Sequence, residues 1–219
     1  GLAMRMVEHA GPPVVQWIWL VPTGSAADPE AQPGLAALTA DLLDEGSTTR
    51  SALELHAALD RIGARLGIQV GSDATSISLM TLSRYAAEGL ALLDEIVARP
   101  RFDAADFERV RDLRLSRLRQ MRSVPGAVAD RVYLETLYPQ HPYGHLGIGT
   151  AEALSRMTAT DVQQFHRNGY LAAQATLIGA GALTHDAFIE MAKRVFGDWS
   201  GRPAVKATAD SRVSLGGPE

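Results

Sequence analysis

Strand-like and helix-like stretches come in pairs along this chain, and that grouping constrains its fold more than any other feature. "GLAMRMVEH" alternates Leu2, Met4 and Met6 against Ala3, Arg5 and Val7, and "VVQWIWLV" at 14–21 is aromatic and β-branched, so both read as strands. Gly11-Pro12-Pro13 between them reads as a hairpin-like connection. "ARLGIQVGSDATSISLMTLS" gives two further strands meeting at Gly71-Ser72-Asp73, and "AAQATLIGAGAL" gives a late one. Helical periodicity runs through 33–46, from Ser51 to Gly63, through "RYAAEGLALLDEIVARP", and from Asp103 to about Met121. Beyond Pro125 it resumes in "AVADRVYLETLY", then behind Thr150, Thr158 and Thr184, each placed as an N-cap. Ser51 and Glu54 fit a capping box. Strands and helices segregated in this way predict an α+β fold with a largely antiparallel sheet packed against helices. Residues 1–200 read as one domain, and the polar, Pro- and Gly-containing end at 201–219 as a linker toward a second domain.

Composition excludes several functions. With 46% hydrophobic residues over 219 positions the chain can bury a real core. Twenty-one basic against twenty-five acidic residues leave a net charge of -4, which offers no general attraction for nucleic acid or an anionic membrane. No stretch approaches a membrane span, and the first residues have neither an initiator methionine nor a signal-peptide layout, so the chain is expected to begin inside a longer product, periplasmic or cytoplasmic. The absence of cysteine removes disulfides, thiolate metal ligands and a cysteine nucleophile. Among six histidines only His141 and His145 have a metal-like spacing, and Pro142 and Gly144 deny them a regular helix, so they read as a surface loop. "GHLGIG" at 144–149 has no strand before it and no lysine after it, which makes it turn geometry rather than a phosphate loop. There is no G-x-S-x-G.

Two helices carry unusual faces. In "PGLAALTADLLDEGST", 33–48, Leu35, Leu38, Leu42 and Leu43 form the apolar stripe, while Ala37, Ala40, Asp41 and Asp44 occupy the other side. The spacing alone is consistent with helix-forming alanines and a solvated Asp41, or with close approach of another helix. In "RVRDLRLSRLRQMR", 109–122, Val110, Leu113, Leu118 and Met121 share a face with Phe107. Arg117 falls in the middle of it, where an unpaired guanidinium is costly and an anionic partner is expected.

Those elements, in that order, resemble one homologous domain of the insulinase/pitrilysin-type zinc peptidases, the family of the mitochondrial processing peptidase and of the core subunits of the respiratory cytochrome bc complex. The resemblance runs through "LDRIGARLGIQVGSDATSISLMTLS", "LALLDEIVARPRFDAADFERVRD" and "HPYGHLGIGTAEALSRMTATDVQQFHRNGY" and covers nearly the whole chain. Active members carry an inverted zinc motif, H-x-x-E-H, at the helix of 33–46, with a glutamate on a later helix as third ligand. The resemblance places the first histidine at Ala37, the general-base glutamate at Ala40, the second histidine at Asp41 and the third ligand at Arg117. It therefore implies a site without ligands or base, and an Asp41–Arg117 ion pair in place of the metal link. It implies neither metal nor cofactor in this chain, and zinc in a catalytic partner. The functions that follow are a noncatalytic subunit that encloses or binds peptide, a part of a longer active peptidase with its motif elsewhere, or a purely structural scaffold. The partners implied are a homologous second domain, a zinc-bearing subunit and peptide, with no nucleic acid and no membrane span.

Overall fold

A computed structural model of the chain describes residues 2–197; the expected linker at 201–219 lies outside the described residues. Five strands form one sheet: β1 (Ala3–Glu8), β2 (Val14–Val21), β3 (Arg65–Val70), β4 (Thr75–Leu82) and β5 (Thr176–Gly181), in the order β1-β5-β2-β4-β3. β2 pairs antiparallel with β4 and β5, and β3 antiparallel with β4; only β1 and β5 run parallel. The largely antiparallel α+β architecture is thus present. The hairpin-like reading of Gly11-Pro12-Pro13 is corrected, because β1 and β2 do not pair. β5, arriving from the far end of the chain, lies between them and takes both ladders.

The sheet alternates as a half-buried surface should. Val15, Trp17, Trp19 and Val21 on β2 are fully buried, and across from them stand Ile77, Leu79 and Leu177 on the same face. The described residues form the helices α1 (Leu35–Asp41), α2 (Ala52–Arg61), α3 (Ala86–Ala98), α4 (Ala104–Met121), α5 (Pro125–Leu137), α6 (Ala151–Arg156), α7 (Ala159–Gly169) and α8 (His185–Phe196), of which α1, α3 and α8 pack most closely on the sheet. Phe188 of α8 stacks on Trp17, with ring centroids 5.8 Å apart. The predicted caps form. Ser51 and Thr158 make capping boxes, and Asp103, Thr150 and Thr184 accept from the first-turn amides of α4, α6 and α8.

α1 is shorter than its periodicity indicates and ends at Asp41. Beyond it, Leu42 N donates to the Thr39 carbonyl and Leu43 N to that of Ala40, tightening the chain into turns up to Asp44. α1 packs against α7, β3 and α4, which sets it in the wall of a cleft.

Candidate functional site

The cleft has a volume of about 1170 Å³ and lies between α1, α2, β3 and α4. Ala37, Ala40, Asp41 and Arg117, the four positions singled out from sequence, all line it. Ala40 is buried, Ala37 half-buried, and the Asp41 side chain is 50% exposed. The face that looked unusual in the sequence is therefore the cleft face of α1.

Asp41 pairs with Arg114, not with Arg117. Nη2 of Arg114 lies 2.5 Å and Nε 3.1 Å from Asp41 Oδ2, and Nη1 is 3.4 Å from the carbonyls of both Gly147 and Ile148. The Arg114 side chain is only 9% exposed, so the guanidinium needing an internal anion stands one turn earlier on α4 than expected. Arg117 is exposed and, among the described residues, makes no ion pair. The apolar stripe of α4 divides for the same reason. Phe107, Val110 and Leu118 are buried in the core, whereas Leu113 is 61% exposed beside Arg117 in the cleft wall.

The acids in the turns after α1 have partners of their own. Glu45 takes Arg109, and Asp44 Oδ2 lies 3.7 Å from His56 Nε2. Burial pushes the Asp44 carboxyl above the ordinary aspartate range, an effect His56 offsets only in part. Among the described residues no group of three His, Cys, Asp or Glu side chains is arranged to hold a metal ion. At the four positions that the family resemblance would assign to ligands and base, zinc would meet two methyl groups, a carboxylate already engaged by Arg114, and a guanidinium. That donor set does not fit the ion.

Two residues hold this wall in place: Asp28, which the sequence does not single out, and His145, which the sequence reads only as part of a surface loop. Asp28, with a side chain 1% exposed, accepts from Gly34 N at 2.7 Å and Ala36 N at 2.6 Å, and His145 Nε2 sits 3.0 Å from the same carboxylate. Asp28 precedes α1 by too many residues to be read as a cap, and His145 reaches it from a distant loop. His141 accepts from Tyr143 N through Nδ1, within its own loop. The glycines of 144–149 do serve turn geometry. Gly149 has φ +81° and Gly34 φ +99°, and a Cβ on Gly34 would come within 2.8 Å of Gly149 Cα.

Comparison with known proteins decides the family. Residues 7–150 match the family model for insulinase (peptidase family M16), and residues 156–217 match the peptidase M16 inactive domain. The chain belongs to the insulinase family of peptidases. A crystal structure of a peptidase M16 inactive domain from Pseudomonas fluorescens superposes with a TM-score of 0.85 at 26% identity, covering 91% of this chain and 49% of that one. A protein named as an uncharacterized zinc protease of Mycobacterium bovis is 27% identical over 180 residues, which are 82% of this chain and 41% of that protein. The mitochondrial-processing peptidase subunit beta of Neurospora crassa is 25% identical over 177 residues, 80% of this chain and 37% of that subunit. The chain thus spans about two fifths of the length of these insulinase-family relatives. Among the described residues no helix is long and apolar enough to cross a membrane.

Proposed function

We propose that this chain is a noncatalytic domain of an insulinase-type zinc peptidase assembly, enclosing peptide beside a zinc-bearing catalytic partner. The observation that carries the reading is the donor set of the cleft. The positions that the family resemblance assigns to ligands and base all line this cleft, and their side chains supply neither a ligand set nor a base. The Arg114–Asp41 pair joins α1 to α4 where the resemblance sets a metal between two helices. Asp41 alone is a poor general base, because its carboxylate is the anion that keeps a nearly buried cation compensated.

Peptide remains a suitable occupant. Among the described residues β3 stands at the edge of the sheet with no strand beyond it, and its Leu66, Ile68, Gln69 and Val70 line the cleft. The volume exceeds the usual range for a single small metabolite.

Co-expression with a homologue carrying H-x-x-E-H tests the reading. The expected result is co-elution of the two and faster peptide hydrolysis than by the homologue alone. Association without a change in hydrolysis supports the scaffold function instead, and failure to associate removes the reading. The names of the zinc protease relatives favour a second reading, in which a longer product containing this domain carries an active motif elsewhere. Hydrolysis by that longer product without any partner distinguishes it.

A further inference from the structure

Two walls of the cleft carry recognition chemistry that the ion pair leaves unused. On α4, Leu113, Arg117 and Met121 follow each other at intervals of four and share one face, which lines the cleft. Leu113 and Arg117 are exposed and Met121 is half-buried. The second wall is edge strand β3, whose Leu66, Ile68 and Val70 project on the helix-covered side and remain half-buried. An extended segment laid along β3 would continue the sheet through backbone hydrogen bonds and turn alternate side chains toward the helices.

We propose that the cleft binds an extended peptide segment bearing an Asp or Glu side chain between apolar residues, with Arg117 taking the carboxylate. The proposal rests on the peptide-enclosing reading above. Arg117 presents a planar array of donors without an ion-pair partner among the described residues, and a carboxylate matches that fork in shape and charge. Asp41 makes no ion pair with Arg117 among the described residues, its Oδ2 being held by Arg114. The apolar wall continues on both sides of the guanidinium, through Leu113 before it and Met121 after it. A segment therefore runs past Arg117 rather than ending there, which selects an acidic side chain over a chain terminus. Asp44 and Asp60 line the α1–α2 flank, so a segment in another register brings its acid against like charge.

The test uses the full chain and short fluorescent peptides, acetylated and amidated, in which a central Glu, Gln or Lys is set among alternating Leu, Val and Thr. Anisotropy titration at low salt is expected to give the Glu peptide about tenfold tighter binding than the Gln peptide. Arg117→Gln should abolish that ratio and Arg117→Glu should turn the preference toward Lys. Because Arg117 is exposed these variants keep the fold, which circular dichroism verifies. Equal affinity for the Glu and Gln peptides, or a ratio unchanged by Arg117→Gln, overturns the role of Arg117 while leaving the peptide-enclosing reading intact. A preference seen only with a free C-terminal carboxylate overturns it as well. No binding of any of these peptides removes both.

Discussion

Arg114 reaches from α4 to α1 and grips Asp41 Oδ2 through two of its nitrogens, at 2.5 and 3.1 Å, while its third nitrogen faces the carbonyls of Gly147 and Ile148. One side chain thereby joins two helices and a loop at the wall of the cleft. The pair is asymmetric, because Arg114 is nearly buried and Asp41 half exposed. Removing Asp41 leaves an inadequately compensated cation, whereas removing Arg114 leaves an acid that water can solvate. Asp41→Ala is expected to cost about 1–2 kcal/mol, a reduced value because solvent reaches the aspartate side. A double-mutant cycle with Arg114→Met, read by urea unfolding, should give a coupling of about 1 kcal/mol. A coupling near zero would show that the contact does not link the helices.

His166 supplies a pH signature. It is buried on α7, with Nε2 2.9 Å from the Val97 carbonyl and its ring stacked on Tyr170. Burial lowers its pKa from 6.5 to about 4, against the opposing effect of the Val97 carbonyl. Between those values the unfolded chain binds the proton and the folded chain does not, so stability falls as pH drops from 6.5 toward 4. The loss is on the order of 3 kcal/mol. Urea unfolding across that range should show the slope in the wild type, and His166→Phe should flatten it. An equal slope in both proteins would assign the acid sensitivity to other groups.

Glu95 on α3 gathers the turn that follows α1. Arg50 pairs with its carboxylate, and the hydroxyls of Ser47 and Thr49 each donate to it at 3.1 Å. Burial pushes its pKa up, yet Arg50 with the two hydroxyls outweighs that and holds it below 4.5. A lowered carboxylate pKa stabilises the fold above the unfolded value and loses that contribution as pH falls through the folded one. Glu95→Gln is therefore expected to destabilise by about 1–3 kcal/mol at pH 7, with the gap to the wild type closing as the pH falls through the lowered pKa of the folded state. A gap that persists in acid would mean that charge is not the source.

Gly34 begins α1 with φ +99°, and its Cα side faces Gly149 so closely that a methyl group has no room. Gly34→Ala should cost about 2–4 kcal/mol, through left-handed strain and displacement of the 144–149 loop. A thermal melt within about 1 °C of the wild type would contradict the packing.

How much of this was legible in the sequence depends on range. The caps at Ser51, Thr150, Thr158 and Thr184 are local chemistry within four residues, and each forms as read. The turn at Gly71-Ser72-Asp73 is equally local, joining β3 to β4. By contrast, β5 inserts between β1 and β2 from more than a hundred and fifty residues away, and nothing in Gly11-Pro12-Pro13 reports that. The spacing puts Ala37, Ala40, Asp41 and Asp44 on one face of α1, but it fits a solvated face as well as a packed one, so that this face lines a cleft is not legible from it. The partner of Asp41 was not visible. Arginines stand at 111, 114 and 117, a turn or less apart, and periodicity cannot tell which of them faces the core when the apolar stripe itself divides between core and cleft. Asp28 and His145 escaped for a related reason, since a buried carboxylate that collects two amides and a distant imidazole has no sequence spacing of its own.

Zinc content and peptide hydrolysis, measured together on the purified chain with and without added zinc, test the central claim most directly. A cleft wall built from methyl groups, an engaged carboxylate and a guanidinium predicts substoichiometric metal after dialysis and no hydrolysis in either condition. One tightly held zinc per chain, with hydrolysis that a chelator abolishes, would contradict it.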